Sequence, residues 1–554
     1  MIGVIASDED MGAVREFFEL FKTPWEKWDS ARPYDVVLCT TGESPWNLRA
    51  NLIVVYSGTR LTWDPEIIGE ELPARSTKVL CYEDREIPVY GKCITFLQGE
   101  NGLLIEKMSG HPTVLRRQRG KILRVGYDLF EEVRVLLSCG QPVEQAGIPA
   151  LELHIEFLRT QMRAVGIAFV EIPPVPEGYR FIVCLTHDLD HPAIRRHRWD
   201  HTAAGFLCRA TIGALLKFAR GRSSVRSLIR NWIAAAKWPF VQIGLAQDFW
   251  ANFHEQYLEI DSGLPSTYFV IPFADRCGRA GSGFMPKHRA AGYGARDIEP
   301  TIRHILQNGD EIGLHGIDAW LDSEAGSREL EEIRSLTGKV ETGVRMHWLY
   351  FDEQSPKKLE CAGASYDSTI GYRETVGYRT GTTQAYMPPG AKSLIELPLH
   401  AMDTALFFPG YLGLTSKKAS ERLASLVSNA LQFGGCLTIN WHDRSLAPER
   451  LWDGVYRELI CQLREKGAWF ATAGQAVDWF RQRRSVVWDH IAIEKSLPAT
   501  DGIVSGDGTR LPGLSLRTHK PEMPMRFRAE ADLGEVKALD NRIGIANPCQ
   551  PTVA

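Results

Sequence analysis

The chain lacks the usual marks of a secreted, membrane-spanning or nucleic-acid-binding protein. Its eleven cysteines, at 39, 81, 93, 139, 184, 208, 277, 361, 436, 461 and 549, are odd in number and show no C-x-x-C pairing. Such usage fits reduced thiols better than a disulfide framework or a structural zinc cluster. Most of them are expected to act as small core hydrophobes. The opening segment MIGVIASDEDMGAVREFF has no basic stretch, no sustained apolar run and no small-residue cleavage site. No secretory signal is expected, and the setting is expected to be cytoplasmic. No window approaches the ~18–20 uninterrupted apolar residues of a spanning helix. Lys and Arg number 64 against 68 Asp and Glu, a net charge of -4, too balanced for a general nucleic-acid binder. Glycine (49) and proline (30) stay near average usage over 554 residues, which excludes collagen-like repetition and wholesale disorder. Familiar catalytic signatures are missing too. His254-Glu255 has no second His to complete H-E-x-x-H, LTGKV (336–340) is only the tail of a P-loop, and G-x-S-x-G does not occur.

What is present is an alternation of strand-like and helix-like segments. IGVIA (2–6), YDVVLC (34–39) and LIVVY (52–56) are β-branched apolar runs, with helical patterns around Val14–Leu20, at 128–137 and at 148–165. This predicts an α/β domain over 1–175 with a partly parallel sheet, closed by the proline-rich IPPVPEGY (172–179). A second α/β region covers 176–485, with strands FIVCLT (181–186), STYFVI (266–271), EIGLH (311–315) and CLTIN (436–440). Between them DIEPTIRHILQNG (297–309) predicts a helix with Asp297 as N-cap, an apolar face of Ile298, Ile302, Ile305 and Leu306, and Gly309 as terminator. GAWFATAGQAVDWFRQRR (467–484) predicts a last strand and helix. Residues 486–554, with VVWDHIAI (486–493), predict a small β-rich appendage with a frayed end. Charge is unevenly spread. Residues 193–240 hold ten Lys/Arg and one acid, a local +9 that leaves -13 for the rest of the chain. Aromatics interleave with these cations, so the segment is a basic helical insertion suited to peripheral contact with an anionic membrane, or to a solvated excursion packed by its apolar face.

Polar residues gather at strand ends. In THDLDHP (186–192), Asp188 and Asp190 stand at i and i+2 of an extended chain, on one face and about 6–7 Å apart. One can hold a divalent metal while the other remains a base. A pair of turn-forming aspartates is the plainer explanation, but a buried strand running into H-D-x-D-H is unusual for a turn. His315 in EIGLHGID, Arg345 and His347 in VRMHWLYF, and His442 in CLTINWHDR also follow apolar runs. SYDSTIGYRETVGYRTG (365–381) adds Asp367, Arg373 and Arg379. Loops at the carboxyl ends of strands in an α/β sheet are where such groups converge into sites.

In this order the segments resemble the five motifs of the polysaccharide deacetylase family, the NodB-homology carbohydrate esterases. THDLD is similar to the first, LHGID to the second, VRMHW to the third, SYDSTIGYR to the fourth and INWHD to the fifth. The resemblance spans roughly 176–485 and implies a distorted (β/α) barrel; residues 1–175 resemble, more weakly, the extension of a cytoplasmic branch. It implies Asp188 as general base, Asp190 and His315 as metal ligands, Arg345 as the group orienting Asp188, and His442 as general acid. The family's second ligand histidine, four residues after the first, corresponds here to Ala319. Asp318 or His347 can take its place, or the metal can be held by fewer protein ligands. Asp367, Arg379 and Trp441 are candidates for substrate contact. The expected cofactor is a divalent metal, Zn²⁺ first, and the expected partner is an N-acetylated carbohydrate. Two alternatives remain beside N-deacetylation: hydrolysis of another non-peptide C–N bond, and a silent member that binds a glycan or scaffolds a synthesis complex.

Overall fold

The computed structural model describes residues 1–64, 67–68, 77–97, 103–117, 121–221, 223–281, 285–488 and 504–521. Its amino-terminal sheet contains β1 (Ile2–Ile5), β2 (Trp25–Lys27), β3 (Tyr34–Cys39), β4 (Ala50–Tyr56), β5 (Val114–Arg117) and β6 (Ile122–Val125), in the order β5-β6-β4-β3-β1-β2. Every pairing is parallel except β5 with β6. The helices Met11–Phe21, Leu129–Ser138 and Ala150–Ala164 supply its core, with Phe17 edge-on to Phe130 at 6.1 Å. Asp128 caps the second of them by accepting from Phe130 N at 2.9 Å.

The second sheet is parallel throughout. It comprises β7 (Phe181–Leu189), β8 (Ser266–Val270), β9 (Glu311–Gly316), β10 (Val344–Met346), β11 (Tyr366–Asp367), β12 (Ile395–Glu396), β13 (Ala401–Met402), β14 (Cys436–Asn440) and β15 (Ala468–Phe470). The order is β12-β11-β10-β9-β8-β7-β14-β13. One edge of β7 is shared, because β15 pairs with residues 181–183 and β8 with residues 185–189. The sheet therefore splays at β7 and curls without closing, a distorted (β/α) barrel. All nine residues of β7 are buried, as expected of a parallel strand covered on both faces.

One local expectation needs correction. Asp297 does not cap the helix, which runs over Glu299–Gln307 from Ile298; its carboxylate instead accepts from Gly294 N at 2.9 Å and closes the preceding 3₁₀ turn. The β-rich appendage expected over 486–554 falls mostly outside the described residues. Residues 489–503 and 522–554, including most of VVWDHIAI and Cys549, lie outside the described residues, and Arg517–His519 pairs antiparallel with Phe169–Glu171. The insertion contains a stretch, His201–Ala219, long and apolar enough on length and composition to cross a membrane, although polar residues interrupt it. Its inner face packs through Ala203, Phe206 and Ala210 on Trp238, Trp250 and Ala447.

Candidate active site

At the carboxyl end of the parallel sheet lies a cavity of about 640 Å³, reached by Asp188, Asp190, His315, His347 and His442. Strand alternation explains the first pair. Thr186, Asp188 and Asp190 share one face of β7, while His187 points to the other, its Nδ1 2.7 Å from the Trp441 carbonyl and its ring 3.9 Å from that of Tyr257. Burial pushes His187 down to about 3, so it is a neutral core histidine.

Asp188 is held on both oxygens. Arg345 Nη1 donates to Oδ1 at 3.1 Å and Asn440 Nδ2 donates to Oδ2 at 2.7 Å. Arg345 is wholly buried, so its other donors also need partners; Nε donates to Ser368 O at 2.9 Å, Nη2 to Ser368 Oγ at 2.8 Å and Nη1 to Thr186 Oγ1 at 2.7 Å. The same residue's carbonyl lies 2.9 Å from His315 Nδ1. A carbonyl only accepts, so Nδ1 carries a proton, and in the neutral tautomer that this contact selects the Nε2 lone pair is left free.

That lone pair faces another acceptor. His315 Nε2 is 3.4 Å and His347 Nε2 3.5 Å from Asp190 Oδ1, a buried oxygen without a hydrogen-bond partner. One ligand atom from each of the three lies within 4.8 Å of the others. A buried carboxylate oxygen without a hydrogen-bond partner is costly, and an N₂O set of this kind suits a divalent cation. Burial is the main cause that holds His347 well below its ordinary range, which keeps it a neutral ligand type.

His347 reaches the cluster because of the backbone that follows it. Trp348 and Leu349 have φ of 63° and 53°, a left-handed pair that turns the chain sharply and is held at a cost of about 1–3 kcal/mol each. Arg289 donates from Nη2 to the His347 carbonyl at 2.9 Å. The place where a His would follow His315 by four residues is closed. Ala319 is fully buried, and its methyl lies against the backbone of Gly326, whose own Cβ would come to 3.1 Å of it. Asp318 is turned elsewhere, accepting from Arg279 N at 2.6 Å.

His442 stands across the cavity, its Nε2 3.9 Å from Asp190 Oδ2. Its Nδ1 is 2.6 Å from Oδ1 of the buried Asp403, whose Oδ2 accepts from His442 N at 2.7 Å and from the Ser445 hydroxyl. Burial opposes the imidazolium, but Asp403 outweighs it and raises His442 to about 10. The sequence reading passed over Asp403. Its signal was the familiar one, an acid directly after a short apolar strand, in LPLHAMD.

Asp367, Arg379 and Trp441 do not line this cavity. Asp367 is buried against Thr369, Oγ1 to Oδ1 2.5 Å, and beside Glu396; burial raises Asp367 to about 6 and burial, with Asp367, raises Glu396 well above its range. Arg379 donates to Gly371 O at 3.0 Å, and its carbonyl accepts from Gln141 N of the amino-terminal domain at 2.7 Å. Trp441 is wholly buried against Tyr456, with ring centroids 5.2 Å apart. Alternation along β14 and its extension sends Trp441 to the core side and His442 to the cavity. The lining found only in the fold includes Trp348, Phe408 and Tyr411, with Arg373 beside Trp348 at 5.7 Å.

Comparisons with solved structures return several polysaccharide deacetylases together with an allantoinase and a GH57 branching enzyme. A protein described as a polysaccharide deacetylase from Mycobacterium smegmatis is 20% identical with a TM-score of 0.35, covering 57% of this chain and 96% of that one. PuuE allantoinase is 15% identical at a TM-score of 0.35, covering 59% of this chain and 95% of its own. The carbohydrate deacetylase Agd3 is 9% identical at 0.31, covering 94% of this chain and 98% of its own. No family model matches, and no curated protein matches. At these identities and scores the chemistry has to be argued from the site's own residues.

Proposed function

We propose that this site hydrolyses the N-acetyl group of an amino sugar, releasing acetate and a free amine. The observation that carries the reading is the division of labour among buried groups. A carboxylate fixed by a guanidinium (Asp188 with Arg345) faces a protonated histidine fixed by a carboxylate (His442 with Asp403), with an N₂O ligand set between them. A base and an acid with opposed environments are what an amide hydrolase needs.

Asp190, His315 and His347 would hold the metal, and their donor set favours Zn²⁺. When bound, such a metal polarises the acyl carbonyl and makes water easier to deprotonate. Asp188 accepts the proton of the attacking water, its orientation fixed by Arg345 and Asn440. His442 gives its proton to the departing amine nitrogen, which would otherwise leave as an unstable anion. Trp348, Phe408 and Tyr411 offer the apolar wall on which a sugar ring can lie. Acetate release from N-acetylated sugars tests the reading; binding without release would favour the silent alternative.

Asp403 positions and charges His442 without reaching the cavity. An acid catalyst works while it is protonated, so activity persists below its pKa and falls as pH rises through about 10. Asp403→Asn removes the chief cause of that elevation, and the alkaline limb of kcat is expected to move down towards the ordinary histidine value of about 6.5. A pH–rate profile from about 6 to about 10.5 checks this; an unmoved limb with reduced kcat would make Asp403 merely structural.

A further inference from the structure

One wall of the cavity is built of three guanidinium groups that the proton transfers leave unused. Arg209 comes from the helical insertion, and Arg444 and Arg450 from the segment after His442. Arg444 is 5% exposed, its Nε has no hydrogen-bond partner, and its ion pair with Glu449 is long at 3.8 Å. Its plane lies over Trp250 at 4.3 Å, and that of Arg450 over Trp452 at 4.9 Å. Arg209 Nε is buried without a partner as well. Burial, then repulsion from Arg450, pulls Arg444 down to about 9, which shows how closely the charges are set. The carboxylates beside them are Glu449 and Asp443, so the trio keeps a net positive charge even with both ionised. A buried guanidinium left short of acceptors is expensive in a site that has no use for it. Stacked on aromatic rings, its planar fork is held ready for an oxyanion.

We propose that Arg209, Arg444 and Arg450 form an oxyanion subsite, and that the N-acetylated sugar carries a phosphoryl or carboxylate group. The second clause rests on the deacetylase reading above; the subsite itself does not. Titration calorimetry of inorganic phosphate against the wild type, Arg444→Gln, Arg450→Gln and His315→Ala tests it. Each Arg substitution is expected to weaken phosphate about tenfold, the scale of one charge-assisted hydrogen bond, while His315→Ala leaves it unchanged. Arg450 is half-buried, so its variant keeps the test decisive should Arg444→Gln fail to fold. No binding, equal binding by all four proteins, or a loss confined to His315→Ala overturns the subsite. Acetate release is then compared for N-acetylglucosamine, its 1-phosphate and N-acetylglucosaminuronic acid. A higher kcat/KM for either anion supports the substrate class and tells phosphoryl from carboxylate; a preference for the neutral sugar overturns it. Phosphate binding without acetate from any of the three leaves the subsite standing and sinks the deacetylase reading.

The outer face of the insertion is a separate surface. Half of the exposed large apolar side chains among the described residues lie between Trp199 and Leu245, including Ile212, Ile229, Trp232, Ile233 and Phe240. Exposed Arg220, Arg226, Arg230 and Lys237 lie among them. Apolar side chains interleaved with cations suit a bilayer carrying anionic headgroups. We infer that this face seats on an anionic membrane surface. The full chain is expected to sediment with phosphatidylserine/phosphatidylcholine vesicles, to release at high salt, and to lose binding in a Trp232→Ser/Ile233→Ser variant. Equal binding by that variant, equal binding to pure phosphatidylcholine, or self-association through this face in place of vesicle binding overturns the inference.

Discussion

Asp188→Asn is expected to lower kcat for acetate release by about 10²–10⁴-fold, the scale of losing a general base. Asn keeps the shape and one acceptor for Arg345, but it cannot take a proton from water. The substitution also disturbs a closed set of hydrogen bonds. Asn440 accepts from Asp188 N at 3.2 Å through Oδ1, so its Nδ2 has to meet the new amide. A stability loss of about 1–3 kcal/mol is expected from that clash of donors. Thermal unfolding separates it from the kinetic effect. Metal content should stay at the wild-type level, because the proposed ligand set is Asp190, His315 and His347. A kcat within a factor of about three of wild type would remove Asp188 from the base role, a change far smaller than general-base loss produces.

His347→Ala is expected to strip the protein of its metal, whereas Asp318→Ala leaves it. Losing a direct ligand should weaken affinity by more than the ~10–100-fold seen when only a ligand's hydrogen-bond partner is removed. Elemental analysis after dialysis, and competition with a chelating dye, read the two variants directly. Asp318 serves here as the control that sequence spacing supplied, since it stands three residues after His315 but accepts from Arg279. Metal retained by His347→Ala and lost from Asp318→Ala would reverse the assignment. Retention by both would mean that Asp190 and His315 suffice.

Much of the site was legible because strand alternation is a local property. A period of two, once β7 is recognised, puts Asp188 and Asp190 on one face and sends His187 to the other. Helices and strands of the second region also followed from apolar runs, since β7, β8, β9 and β14 are buried on both faces and need few polar residues. Errors arose where a choice depended on neighbours distant in sequence. Trp441 and His442 are adjacent in the chain, and only the register of β14 against β7 tells which one meets the cavity. Asp367 is a strand-end acid like Asp403, yet one lies against Glu396 and the other against His442.

By itself the sequence determined the α/β class and the parallel strands, and it pointed to Asp188, Asp190, His315 and His442 as strand-end polar groups, because each rests on a short periodic pattern and on residue chemistry. Tertiary structure alone decided that His347, and not a residue after His315, joins Asp190 and His315. The Ala319 methyl is fully buried beside Gly326, and a left-handed turn at Trp348 follows His347 where it meets Asp190. Arginines from two separate segments, Arg209 and Arg444, meet at one wall only because the insertion folds back across the sheet's carboxyl end. Such contacts join residues more than 200 positions apart, which no local pattern can encode.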